Sequence, residues 1–267
     1  MTVCVGVLCA NSSEVVVAAD RMVTAGDTEF EQRDIRKIEP INERCVILTS
    51  GSALRHTDLA RRVKDELRGR SHPSVMDVVV ELKRQFVEAR KTRAEELHLK
   101  PLGMDLEQFL HTQGRLAEPL VLRLTRNIED EALRLSILVA GTDSTGGHIY
   151  YVYDPGTADC FDAIGYCGIG AGEHHAELSL IRAHYSPKVS VKQAVFLTYQ
   201  AKRDAEVAPG VGANFTDVAT LDEKGCHFLD QDVLAVLSSI YEELTRSRVG
   251  IREEMREKIE GVEIKFQ

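Results

Sequence analysis

What the chain lacks narrows its function before any motif is considered. No run of about 18 apolar residues occurs in its 267 residues, so no membrane-spanning segment is expected. No basic stretch leads into an apolar one at the N-terminus, which argues against a secretory signal and for a cytoplasmic location. An excess of positive charge is missing too. The net charge of −9 argues against nucleic-acid partners, because neutralising phosphates needs a basic surface. The basic pairs Arg61-Arg62 and Lys83-Arg84 are interleaved with acids, as on solvated helix faces. Six cysteines (4, 9, 45, 160, 167 and 226) include no C-x-x-C pair. Most lie in apolar, strand-like stretches and read as buried free thiols, not as metal ligands or disulfides. Internal repeats and low-complexity segments are also absent.

Nucleotide and metal motifs fail on inspection. Gly165 to Gly172 is Gly-rich and leads into a helix, but Glu173 stands where G-x-G-x-x-G needs its last Gly, and no Gly-Lys-Ser/Thr follows. Glu173-His174-His175-Ala176-Glu177 is not H-E-x-x-H, and adjacent histidines point to different helix faces. Neither a cofactor nor a metal is therefore expected.

What is present is concentrated in the first fifty residues. Thr2 follows the initiator Met and opens an apolar run to Ala10 that reads as a buried strand. Asn11-Ser12-Ser13 reads as a turn, and Glu14 to Ala19 as a second strand ending in Asp20-Arg21. A Thr hydroxyl is a weak nucleophile that needs a base. A free α-amino group on the same residue can serve, because its ordinary pKa of about 7.7–8.0 is near neutrality. Thr is also small enough for the initiator Met to be removed, which would expose that amine. Asp34 to Ile38 and Arg44 to Thr49 read as further strands, and Lys37 is the only lysine in the first 63 residues.

Thr2-Val3-Cys4-Val5-Gly6, Ala18-Ala19-Asp20 through Thr24, Lys37-Ile38 and Thr49-Ser50-Gly51 together resemble the start of proteasome β-subunits and of the HslV peptidase. That family carries T-x-x-V-G, A-x-D-x-x-x-T, K-[IL] and x-x-G in this order. The interval from Thr2 to Asp20 is longer by about two residues, which the turn at Asn11-Ser12-Ser13 can absorb. The resemblance is good over roughly the first 70 residues and resumes more weakly from Leu133 to Phe228. It implies an N-terminal-nucleophile (Ntn) hydrolase acting as a threonine-type peptidase. Thr2 would be the nucleophile, Asp20 and Lys37 would polarise it, and the Gly51 N–H would stabilise the oxyanion. Asp204, in Arg203-Asp204-Ala205-Glu206-Val207, would hold the Thr2 amine or Lys37. Val23, Thr24 and Thr49 would bind an extended peptide or protein substrate. A homo-oligomer, either ring or dimer, is implied, and an ATPase unfoldase is a possible partner.

Two positions depart from the family pattern. Its supporting serines correspond to Ile169 in the Gly-rich stretch and to Val207. These losses keep two alternatives open: a diverged amidase or peptide ligase with a specific substrate, and a non-catalytic scaffold.

The remaining pattern alternates between helices and strands. Ala53 to Leu67 and Ser74 to about Leu99 read as amphipathic helices. Pro101, Gly103, Gly114 and Pro119 then punctuate an insertion at about 100–130, with helical pieces at Asp105 to Thr112 and Leu120 to Asn127. Strands are expected from Leu133 to Gly141, His148 to Tyr153 and Cys160 to Ile164, then a helix from Glu173 to Tyr185. Ser190-Val191-Lys192-Gln193 is a capping box that opens a helix to about Glu206. A hairpin follows around Asp222 to Gly225. Gln231 to Ser247 and Arg252 to Glu260 read as C-terminal helices within about 230–262. The residues alone give an α+β fold. The resemblance implies a single 1–267 domain with a four-layer αββα sandwich.

Overall fold

The computed structural model describes residues 2–25 and 28–262. In chain order the strands and helices are β1 (Cys4–Cys9), β2 (Glu14–Asp20), β3 (Met22–Ala25), β4 (Thr28–Glu31), β5 (Ile38–Asn42), β6 (Cys45–Gly51), α1 (Ala53–Leu67) and α2 (Val75–Ala94). There follow α3 (Leu106–Thr112), α4 (Glu118–Asp130), β7 (Leu135–Asp143), β8 (Gly146–Tyr153), β9 (Thr157–Cys160) and β10 (Tyr166–Ile169). The last elements are α5 (Glu173–Arg182), α6 (Val191–Asp204), β11 (Thr216–Asp222), β12 (Gly225–Phe228) and α7 (Gln231–Glu260). The chain divides into two compact units, one ending at Phe228 and the other beginning at Leu229.

The first unit is α+β. One sheet has the order β10-β1-β2-β11-β12, a second has β5-β6-β7-β8-β9, and β3-β4 is a separate hairpin. All pairings are antiparallel. β1 is apolar at every position but Gly6 because both of its faces are covered. Cys4 and Leu8 share a core with Val46, Leu48, Leu138 and Ile149 of the other sheet, while Val5 and Val7 are buried on the opposite face. β6 is split in the same way by its two-residue period. Val46 and Leu48 enter that inter-sheet core, whereas Cys45 and Ile47 pack with Leu59, Val63, Val78 and Phe86 of α1 and α2. Each large apolar side chain fully removed from water contributes about 1.5–3 kcal/mol, so these cores hold the two sheets in register.

Local signals mark the helix starts. Ser74 and Asp77 form a reciprocal cap on α2, and Ser190 and Gln193 form one on α6. The insertion carries its own small core of Leu99, Phe109 and Leu124, with Leu106, Leu120 and Ile128 packed on it.

The structure moves several elements from where local pattern puts them. β5 begins at Ile38 and runs through Pro40, although Asp34 to Ile38 is the expected strand. An edge position and a register shift between Pro40 and Asn42 let the ladder tolerate a residue without an N–H. β9 stops at Cys160. Beyond it the Asp162 carboxylate accepts bonds from the Ile149 N–H at 2.9 Å and from His148 Nδ1, drawing the chain out of the sheet. Tyr166 to Ile169, read as loop, is a strand that covers the edge of β1.

In the second unit α7 is continuous through Gly250, where two helices are expected; one interior Gly costs a helix only about 1 kcal/mol. Its start is capped by Asp230 Oδ1, which accepts from the Val233 N–H at 3.0 Å. No helix among the described residues is long and apolar enough to cross a membrane.

The thiols differ sharply in environment. Cys4 and Cys9 are pushed up to about 12, both chiefly by burial. Cys45 and Cys167 are buried as well, and Cys160 is exposed. Since the thiolate is the reactive form, brief native alkylation at pH 8 is expected to label Cys160 and spare Cys4, Cys9, Cys45 and Cys167. Peptide mapping by mass spectrometry reads the result, and modification of Cys4 in folded protein would contradict it.

Candidate active site

Thr2 leads into β1, and the β1–β2 register carries it to the end of β2, where Asp20 stands. Both side chains are buried, Thr2 at 3% exposure and Asp20 at 0%. Thr2 Oγ1 donates a short hydrogen bond to Asp20 Oδ1. The same oxygen takes Lys37 Nζ at 2.5 Å and the Val3 N–H at 3.3 Å. Asp20 Oδ2 accepts from the Gly212 N–H at 2.7 Å. The Lys37 ammonium, 8% exposed, therefore shares one carboxylate oxygen with the Thr2 hydroxyl. A buried ion pair survives only when its remaining valences are satisfied, and here four donors converge on Asp20.

The far side of that carboxylate is braced by residues that local sequence reading misses. Lys202 Nζ, fully buried, donates to Gly212 O at 2.9 Å, Phe215 O at 3.4 Å and Glu206 Oε1 at 2.7 Å. Burial holds the Lys202 ammonium below its ordinary range, against the pull of Glu206. Glu31, at the end of β4, accepts from the Asn214 N–H at 2.9 Å and so ties the same loop down. The peptide that contacts Asp20 is thus clamped from α6 and from the β3–β4 hairpin. The i,i+4 pair Lys202–Glu206 is visible in sequence, but nothing local points it at residue 212.

On the other side Thr2 meets the turn after β10. The Gly172 N–H donates to Thr2 O at 3.2 Å. Gly170 has φ +94°, and a Cβ there would meet Thr2 O and would lie 2.8 Å from Thr2 Cγ2 and 3.0 Å from Ser50 Oγ. Both conformation and space demand glycine. Gly170→Ala is expected to displace Thr2, and any reaction that Thr2 carries would fall by about 100-fold, the cost of misplacing a reacting group by an ångström. Steady-state assays with melting curves check this, and wild-type rates would contradict the packing.

The other expected site residues fall as follows. Gly51 closes β6 opposite Leu135, with φ +115°, and a Cβ there would strike Arg134 O. Thr49 is buried, and its carbonyl accepts from the Cys4 thiol, which burial keeps protonated. Val23 is buried in β3; the Thr24 backbone pairs with Glu29, while the Thr24 side chain and Met1 lie outside the described residues. Asp204 ends α6, its Oδ2 accepting from Ser179 Oγ at 2.6 Å and Gln200 Nε2 at 3.4 Å. The structure thus brings Thr2, Asp20 and Lys37 into one hydrogen-bonded group and shows Asp204 bonded to α5 and to its own helix. Ile169 is buried in the inter-sheet core, and Val207 is 73% exposed. His174 in the Glu173-His174-His175 stretch projects into solvent.

The segment that builds this group is also the one that matches a known family. The family model of the proteasome subunit covers residues 2–94, taking in Thr2, Asp20, Lys37, Ser50 and Gly51. Over that stretch the chain is similar to the proteasome subunit family, a match consistent with a proteasome β/HslV-type Ntn hydrolase; members of that family are generally hydrolases and form oligomeric rings. No curated protein matches the chain.

Proposed function

We propose that the protein is a threonine-type peptidase that becomes active when Met1 is removed and Thr2 becomes the N-terminus. The observation that carries this reading is the buried contact of Thr2 Oγ1 with Asp20 and, through it, Lys37. In this mechanism the Thr2 α-amine takes the hydroxyl proton as Oγ1 attacks a peptide carbonyl. The O–C bond forms, the amine passes its proton to the leaving nitrogen, and the C–N bond breaks. Water then cleaves the Thr2 ester by the reverse proton path. The positive charge of Lys37 favours the developing alkoxide, and Asp20 holds that ammonium in place. The Gly51 N–H serves as the oxyanion donor, Asp204 supports the group from α6, and Val23, Thr24 and Thr49 line the path of an extended substrate.

A four-layer αββα sandwich, a homo-oligomeric ring or dimer, a cytoplasmic location and an ATPase unfoldase as partner all accord with this reading. A diverged amidase or ligase is the second reading, favoured by a turn at 169–172 that carries no hydroxyl. Peptide libraries tested against amino-acid amides separate the two. The first test is the intact mass of the protein with and without a β-lactone probe. Loss of Met1 and one adduct on Thr2 are expected. Met1 retained in protein from its native source would overturn the mechanism, because Thr2 would then have no amine to act as base.

A further inference from the structure

Thr2 has a second side. Its Oγ1 is committed to Asp20, and its Cγ2 faces Gly170 and Ser50. Thr2 Cγ2 and Ser50 Oγ lie within 3.0 Å of one point, the position a Cβ on Gly170 would take. The strand periods produce this meeting. Val46 and Leu48 of β6 face the inter-sheet core, so Ser50, next in that parity, faces the same gap at its end. Cys4 and Leu8 of β1 face the gap from the opposite sheet, and Thr2 continues their row.

A Thr2 ammonium freed by loss of Met1 would carry three N–H donors, next to a side chain that is 3% exposed in the chain bearing Met1. Unmet donors there would cost about 1–3 kcal/mol each. The turn beside it offers no side-chain acceptor: Ile169 is in the core and the next three residues are Gly170, Ala171 and Gly172. The Cys4 thiol is already donated to Thr49 O. Ser50 Oγ, half-buried, is a hydroxyl on that side, whereas Ser136, opposite it in the β6–β7 register, is paired with Tyr151 OH at 2.9 Å.

We infer that Ser50 is a positioning residue whose Oγ accepts from the Thr2 α-amine and holds it beside Oγ1. The inference rests on the proposed role of Thr2 but makes a separate demand. An acceptor for the ammonium stabilises the charged form, so its removal lowers the pKa of the amine.

The test uses the full chain beginning at Thr2, released from a cleavable fusion, as wild type and as Ser50→Ala. The pH dependence of acetylation at the Thr2 amine, read by peptide mass spectrometry, gives its pKa without any need for turnover. Ser50→Ala is expected to lower that pKa by about one pH unit. It is also expected to slow β-lactone acylation of Thr2 by about 100-fold, with melting temperature unchanged. An unchanged or raised amine pKa would overturn the role of Ser50, even if the lactone still labels Thr2. A lowered pKa with no lactone adduct in the wild type would support Ser50 and sink the peptidase reading instead.

Discussion

Thr2→Ala is expected to abolish turnover and probe labelling while leaving the fold intact. The loss should be on the order of 10⁴- to 10⁶-fold, the range seen when a nucleophile that acts as a unit with its base is deleted. The fold should survive because the hydroxyl is one of four donors to Asp20, with Lys37 Nζ, the Val3 N–H and the Gly212 N–H remaining. A single lost hydrogen bond of this kind costs about 0.5–1.5 kcal/mol. Ala is also small enough for Met1 removal, so the variant keeps a processed N-terminus. Thr2→Ser, which retains the hydroxyl, should retain the adduct. Turnover by Thr2→Ala at the wild-type rate would end the proposal; loss of activity together with loss of the native melting transition would show that Thr2 holds the fold as well.

Much of this arrangement is legible from the chain because it is local in the right sense. Thr2, Asp20 and Lys37 lie within two strands and the approach to a third, and a short turn between β1 and β2 sets their register. The strand that carries Val46 to Leu48, the helix start at Ser74 and the capping box at Ser190 are also present in sequence. What escapes is tertiary. Gly212 lies 192 positions from Asp20 and reads as an ordinary turn glycine until its N–H is seen on the carboxylate. Lys202 lies in a helix the sequence predicts, but its full burial against that turn is not written in any local pattern. Tyr166 to Ile169 reads as loop because Gly168 weakens the strand signal, yet the open edge of β1 recruits it. Asp204, whose motif is plain in sequence, also accepts from Ser179 Oγ, a contact no local pattern announces.

The Asp20–Lys37 pair should couple activity to stability, and a double-mutant cycle should separate the two. Asp20→Asn keeps the shape of the side chain but leaves the Lys37 ammonium, 8% exposed, without its counter-charge. Lys37→Met leaves the Asp20 carboxylate, 0% exposed, with neutral donors only. Breaking a buried pair from either end costs about 3–5 kcal/mol, because one charge stays in a place that water cannot reach. For a unit of this size that corresponds to a fall in Tm on the order of 10 °C. Combining the substitutions removes both charges and should recover most of the loss, so the two effects should be strongly non-additive. Activity should follow a different rule. Each single variant and the double variant should all lack lactone labelling of Thr2, because each removes part of the field that favours the alkoxide. Denaturant melts and labelling on the four proteins decide the matter. Additive stability losses would mean that the pair is not energetically coupled. A double variant that regains both stability and labelling would mean that the charges serve the fold and not the chemistry of Thr2.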